Sequence, residues 1–298
     1  GKFDKSFNQS AFEGAERFKK ETGIKYIEVQ ASSDTQAEQV MRGLARKKLD
    51  LIAAVGFSQT QAVQKVAQEF PNVRFVLIDA VAKGNNVSSI LFKEEEGSYL
   101  VGVAAAMASK SKKIGFVGGM DIPLIRAFAC GYNQGAKSVN PKIESMQNMV
   151  GTTAAAWNDP AKGGELARAQ FDRGVDVVFA VAGGSGMGTL QMAKEKGKLG
   201  IGVDSNQNYL HPGSMLTSMV KRVDLAIYDS FTQMKNGTWK AGVTHRGLKE
   251  GGVDWALDKD NRMVVTPAIE KKVLETKANI INGKIKVVDY RAAGSCPV

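Results

Sequence analysis

Gly1-Lys2-Phe3-Asp4-Lys5-Ser6-Phe7-Asn8-Gln9-Ser10 opens the chain and runs straight into the helical spacing of Phe12, Ala15 and Phe18. A carboxylate, an aromatic ring and two amides are gathered in a loop at a helix N-terminus. Alternating α/β chains put their binding loops in this position, at the carboxyl ends of strands. The side-chain set suits a small, flat, polar ligand. Such a loop is ordinarily fed by a strand, so this reading expects residues upstream of Gly1 that carry one.

Working outward, apolar runs of strand length alternate with helical periodicity. The spacing predicts helices over 7–22, 35–48, 59–70, 94–108, 122–139, 160–173, 186–195, 223–236 and 267–282, the last helix of the chain. It predicts strands over 26–29, 51–55, 75–78, 87–91, 114–117, 143–149, 177–180, 201–203 and 215–220, with two short ones within 243–257. Ser10-x-x-Glu13 has capping-box spacing, and Pro160 suits the first turn of a helix. Glu94-Glu95-Glu96 suit the dipole of the helix that they open. Continuous apolar strands between helices imply parallel sheets covered on both faces. The series restarts near 109–113, so the fold class is α/β: two doubly wound parallel-sheet lobes with a cleft between them.

The bulk numbers agree with two domains: 298 residues, 43% hydrophobic. Lys and Arg number 40 against 30 Asp and Glu, a formal charge of +10. These cations are scattered, with only short groups at 46–48 and 110–113 and no aromatics among them. That pattern reads as a solvated basic surface and not a nucleic-acid interface. Its field favours an anionic membrane face or an acidic partner. No apolar run reaches the roughly 18 residues that span a bilayer. Cys130 and Cys296 lack metal or redox spacing; one disulfide and two free thiols both stay open.

The strand ends carry the chemistry. Asp79 follows 75–78, Gly183-Gly184-Ser185-Gly186 follow 177–180, Asp204 follows 201–203, and Trp157 lies beyond 143–149. Singly, each has a structural explanation: an Asp cap, glycine turn geometry, a Trp packing anchor. Together with Asp4, Phe7 and Asn8 they describe a cleft for a nucleoside or sugar-like ligand. A carboxylate accepts hydrogen bonds from vicinal hydroxyls, about 1.5–3 kcal/mol each. A ring stacked on a base contributes about 1–3 kcal/mol. Phe7 and Trp157, read as coming from different lobes, would sandwich a base on closure. The stretch 183–189 lacks the spacing of a phosphate loop. The only histidines, His211 and His245, miss the strand ends, and no G-x-S-x-G, HExxH or Ser-x-x-Lys pattern is present. A binding protein is favoured over an enzyme; the enzymatic alternative is a carboxylate-based nucleoside hydrolase.

Asp4-Lys5-Ser6-Phe7-Asn8-Gln9-Ser10-Ala11-Phe12-Glu13-Gly14 resembles the opening motif of the basic membrane lipoprotein (Bmp, or purine nucleoside receptor) family, substrate-binding proteins of ABC transporters. The resemblance continues through Val76-Leu77-Ile78-Asp79, Glu94-Glu95-Glu96-Gly97-Ser98-Tyr99, Ile114-Gly115-Phe116-Val117-Gly118-Gly119, Trp157-Asn158-Asp159-Pro160, Gly202-Val203-Asp204-Ser205-Asn206-Gln207 and Ser218-Met219-Val220-Lys221-Arg222. It implies a type I periplasmic-binding fold with a three-segment hinge. One lobe would hold 1–112 plus 221–241, the other 113–220 plus 242–298. It also implies roles for eight residues. Phe7 stacks on one base face and Trp157, where relatives often have Phe, on the other. Asp4 and Asn8 address the base edge, Asp79 and Asp204 the ribose hydroxyls. Gly183 offers backbone groups, and Lys221 reaches the ribose. The implied ligand is a purine nucleoside, with a sugar, polyol or furanosyl signal as the alternative. No catalytic residue, metal or cofactor is implied. The partner would be a membrane permease, not nucleic acid, and the chain a monomer. Its place would be the periplasm or the cell surface as a lipoprotein, with the family's first strand and an export signal upstream of residue 1.

Overall fold

The computed structural model describes residues 1–298. In chain order the elements are α1 (Phe7–Thr22), α2 (Asp34–Arg46), β1 (Ile52–Val55), α3 (Thr60–Glu69), β2 (Phe75–Ile78), β3 (Val87–Phe92), α4 (Glu94–Ala108), β4 (Lys113–Met120) and α5 (Pro123–Val139). They continue with β5 (Glu144–Gly151), α6 (Pro160–Asp172), β6 (Val177–Val181), α7 (Gly186–Glu195), β7 (Leu199–Asp204), β8 (Met215–Lys221), α8 (Val223–Asn236), β9 (Gly242–Arg246), β10 (Val253–Trp255), α9 (Pro267–Ile281) and α10 (Tyr290–Ala293). Two compact α/β units result. The smaller comprises 1–3, 8–92 and 222–246; the larger comprises 4–7, 93–221 and 247–298.

The smaller unit is built on a sheet of order β1-β2-β3-β9, all parallel. Every residue of β2 is buried, which is why its sequence is an unbroken apolar run. Phe75 and Leu77 join Ile52, Ala54, Val63, Val66 and Met41 in one core. α1 lies against α8 through Phe18 and Phe231, with ring centroids 5.4 Å apart. The two helices approach so closely that a Cβ at Gly14 would stand 2.2 Å from the Asp224 carbonyl oxygen. Ser10 lies inside α1, so the expected capping box is not made. Its hydroxyl accepts from the Asp224 amide of α8 at 3.0 Å, and it caps the neighbouring helix instead of its own.

The expected strand over 26–29 is also absent. Residues 24–31 run without a ladder, and Ile27 and Val29 are each 49% exposed. A strand exists only by pairing; side-chain contacts anchor this segment in its place. Lys2 pairs with Glu28 at 2.9 Å, and the Tyr26 hydroxyl donates to Glu16 at 2.6 Å.

The larger unit has a sheet of order β10-β8-β7-β6-β4-β5, parallel except for β10, which runs antiparallel to β8. α4 is apolar on nearly every face and almost wholly buried, as a central helix must be. It meets α5 backbone to backbone. A Cβ at Gly102 would stand 2.1 Å from the Tyr132 carbonyl oxygen, and one at Gly135 2.0 Å from that of Tyr99. This contact draws 93–112 into the larger unit. Phe116, Tyr132 and Phe179 fill the adjoining core. Cys130 and Cys296 form a disulfide, with Cα atoms 5.6 Å apart. Helix α10 lies beyond the expected last helix; four residues are too few to show periodicity in sequence.

Candidate functional site

The opening loop belongs to the larger unit because it is hydrogen-bonded to the end of β7. The Ser6 amide donates to Asp4 Oδ1 at 2.8 Å, which fixes the turn. The fully buried Ser6 hydroxyl donates to the Asp204 carboxylate. Ser205 donates to the Ser6 carbonyl at 3.2 Å and Gln207 to the Lys5 carbonyl at 2.7 Å. Gln207 is held in turn, since its side-chain oxygen accepts from the Val203 amide at 2.9 Å.

Asp204 ends its strand with φ +65° and is 7% exposed. Asp79, which follows β2 in the smaller unit, has φ +76°. Its amide donates to the Ile90 carbonyl at 3.0 Å. Asp is among the few residues that enter the left-handed region as single positions. Non-glycine residues held there cluster at ligand sites, at a cost of about 1–3 kcal/mol each. Each sheet thus ends a central strand in a carboxylate aimed by an uncommon backbone angle. Lys5, inside the docked loop, shares that conformation with φ +60°.

Trp157 sits in a 3₁₀ turn (Ala154–Asn158) between β5 and α6. Its ring lies against Gly119 of β4, where a Cβ would stand 2.2 Å from Cζ3. Only glycine leaves room for the indole. Gly183, with φ +55°, lies against the same residue, its Cβ position 3.6 Å from Trp157 Cε3. Ser185 ties the turn down: its hydroxyl accepts from the Asp159 amide at 2.7 Å and donates to the Ala156 carbonyl at 2.6 Å. Asp159 caps α6 by accepting from the Lys162 amide at 3.0 Å, and Pro160 takes the first turn as expected.

Lys221 ends β8 and is 2% exposed. Its ammonium is 3.0 Å from Glu94 Oε1. It also lies 5.3 Å from the Phe7 ring centroid and 5.6 Å from that of Phe128, within cation–π range. A buried ammonium is tolerated only when paired, and Glu94, itself fully buried, provides the pair.

Six expected site residues therefore share the larger unit: Asp4, Phe7, Trp157, Gly183, Asp204 and Lys221. Phe7 and Trp157 belong to one unit and not to two. Asn8, in the first turn of α1, and Asp79 belong to the smaller unit. Sequence reasoning missed Ser6, Gln207, Gly119, Ser185 and Glu94. Ser6 stands between two residues already singled out, which was the available signal. Glu94 was visible only as a partner for the helix dipole. Its neighbour Glu95 has its carboxyl pushed up to about 8, chiefly by burial and then by the charge of Asp289.

Within the larger unit the arrangement is rings, backbone groups, a carboxylate aimed by its backbone and a buried cation. A model of the Bmp family, described as PnrA-like ABC transporter substrate-binding protein, matches residues 2–290. The ABC transporter nucleoside-binding protein BmpA of Lactococcus lactis subsp. cremoris is 36% identical over 307 residues, covering 95% of this chain and 85% of that protein. An uncharacterized lipoprotein of Pyrococcus abyssi is 35% identical over 271 residues, covering 87% and 67% respectively. Among solved structures, an ABC transporter solute-binding protein from Aeropyrum pernix K1 is similar with a TM-score of 0.89 and 30% identity, covering 97% of this chain and 90% of that one. No helix is long and apolar enough to cross a membrane. With the family matched over nearly the whole chain, and a solved solute-binding protein sharing its fold, the chain belongs to the Bmp family of PnrA-like ABC transporter substrate-binding proteins, which are binding proteins of the type I periplasmic class and not enzymes.

Proposed function

We propose that the transported substrate is a nucleoside, with a purine as its base. The observation that supports this most is the order of groups along one edge of the larger sheet. β4, β6, β7 and β8 are successive neighbours. At their carboxyl ends come the Trp157 ring on Gly119, then Gly183, then Asp204, then Lys221. Strands are spaced about 4.8 Å apart, so the ring and the carboxylate are about 10 Å apart along the edge, comparable to one nucleoside from base to ribose. The apolar end suits a base and the charged end suits hydroxyls.

In this reading Trp157 stacks on one base face and Phe7 on the other, while Asp4 and Asn8 meet the base edge. Asp204 and Asp79 accept from ribose hydroxyls, Gly183 supplies backbone groups, and Lys221 donates to the ribose. These groups hold the ligand until it is delivered. The loaded monomer hands it to a membrane permease from the periplasm or from a lipid anchor at the cell surface. The name of the Lactococcus relative supports the ligand class, and the name of the Pyrococcus relative supports the anchor. The charge of +10 then concerns the membrane face, because the ligand is neutral.

Titration calorimetry with inosine, guanosine, adenosine, uridine, ribose and free bases tests this directly. Purine nucleosides should bind with the largest heats and free ribose weakly. Binding of ribose alone would overturn the stacking roles, and no binding at all would overturn the nucleoside reading. Free base released on long incubation would point to a hydrolase. A second reading, a pentose or polyol ligand, draws on the Phe7 ring lying beside the Lys221 ammonium, which puts that ring at the charged end of the row. Undiminished inosine affinity in Phe7→Ala would favour it.

A further inference from the structure

Glu94 opens α4 and is completely buried. Its Oε1 lies 3.0 Å from Lys221 Nζ, and its Oε2 accepts from Arg291 Nη1 at 2.7 Å. Arg291 belongs to α10, one residue past the segment that the family model matches. Its Nη2 donates to Glu95 at 3.0 Å and its Nε to Asp289 at 2.9 Å. The segment carrying it is anchored twice to α5. Cys296 is bonded to Cys130. The Gln134 side chain both donates to the Val288 carbonyl and accepts from the Val288 amide, each at 2.9 Å.

We propose that Arg291 is a positioning residue for the ligand: it fixes the Glu94 carboxylate, and through Glu94 it holds the Lys221 ammonium against Phe7. This rests on the assignment of Lys221 to the ligand in the reading above. A carboxylate bound only to a flexible lysine stem turns with it; a planar guanidinium that also grips two further carboxyl groups does not turn. With Arg291 in place, Glu94 Oε2 is committed, and the carboxylate keeps Oε1 turned toward the ammonium.

The test uses the oxidised chain of residues 1–298 with Arg291→Gln and Arg291→Lys. The first readout is the acetylation rate of Lys221 with acetic anhydride, measured by mass spectrometry against Lys259, whose side chain is 90% exposed. The second is inosine affinity. Arg291→Gln should raise the Lys221 rate and weaken inosine binding, each by roughly tenfold, mid-range for directly coupled side chains. Arg291→Lys, which can still reach Glu94, should recover most of both. Adding Arg291→Gln to Lys221→Met should weaken inosine no further than Lys221→Met alone. If Arg291→Gln does not fold, Arg291→Met, which keeps an apolar stem, takes its place with the same expectation. An unchanged Lys221 rate with the disulfide intact overturns the proposal, as does failure of Arg291→Lys to recover it. If the parent binds no inosine, the nucleoside reading fails by itself, and the acetylation rates still decide whether Arg291 positions Lys221.

Discussion

The two sheets end their central strands alike and differ in what surrounds the ends. Both close a buried parallel strand with an aspartate in the left-handed region, Asp79 after β2 and Asp204 at the end of β7. Around Asp204 the larger unit assembles Ser6, the docked loop 4–7, the Trp157–Gly119 seat and the Lys221–Glu94 pair. In the smaller unit only Asp79 and Asn8 stand among the expected ligand residues. The contrast teaches that the two units are unequal: the larger carries most of the expected site residues, held by contacts within it, and the smaller carries two.

Removing the disulfide should have the largest effect on that contrast. Cys130 and Cys296 are 166 residues apart, and losing a cross-link over so long a loop costs about 2–5 kcal/mol. In urea unfolding of Cys130→Ser/Cys296→Ser, the transition of the larger unit should shift to lower denaturant. If the smaller unit shifts equally, the units do not unfold independently.

Gly119→Ala comes next. The added Cβ would occupy the indole seat, with Trp157 Cζ3 only 2.2 Å away. The ring must leave, taking with it a stacking contribution of about 1–3 kcal/mol. Inosine affinity should fall by between about fivefold and a hundredfold while the melting temperature moves little. Full affinity would remove Trp157 from the site.

The pair Asp204→Asn and Asp79→Asn sharpens the comparison itself. Each should weaken binding by about 1.5–3 kcal/mol in calorimetry, the range for a hydrogen bond to a charged group. Asp204→Asn should also lower stability, by about 1 kcal/mol, because the buried Ser6 hydroxyl loses its carboxylate acceptor. Unchanged stability in urea unfolding would show that this bond does not hold the loop.

A smaller effect, in the larger unit alone, follows from Glu95. Its folded pKa of about 8 lies above its ordinary value of 4.5. The folded state therefore holds a proton that the unfolded chain has already released. That contribution is complete below about pH 4.5 and is lost as pH rises toward 8. Glu95→Gln should flatten this decline and make the chain more stable than the parent above pH 8. A parent whose stability does not fall across that window would contradict it.

Most of the architecture was legible because it is local. The apolar runs of β2 and β6, the triple-glutamate start of α4 and the proline starts of α6 and α9 each state their element within a few residues. Asp79, Gly183 and Asp204 could be singled out because strand ends are identifiable in sequence. What escaped depends on partners far along the chain. Glu94 gains its role from Lys221 and Arg291, 127 and 197 residues away. Gly119 looks like any strand glycine until an indole arrives from 38 residues on. The stretch 26–29 carries strand-forming residues without a neighbour to pair with, and no local pattern reports that.

The docking of loop 4–7 also sets an order of events in time. Ser6 reaches Asp204 across 198 residues, and Lys5 reaches Gln207 across 202. Contacts of such separation close late, after the loop-closure entropy of everything between has been overcome. During synthesis loop 4–7 must wait for β7 and β8 before it has a place to settle. Binding competence is thus among the last properties this chain acquires, and a chain interrupted before residue 204 would carry its opening motif with nothing to hold it.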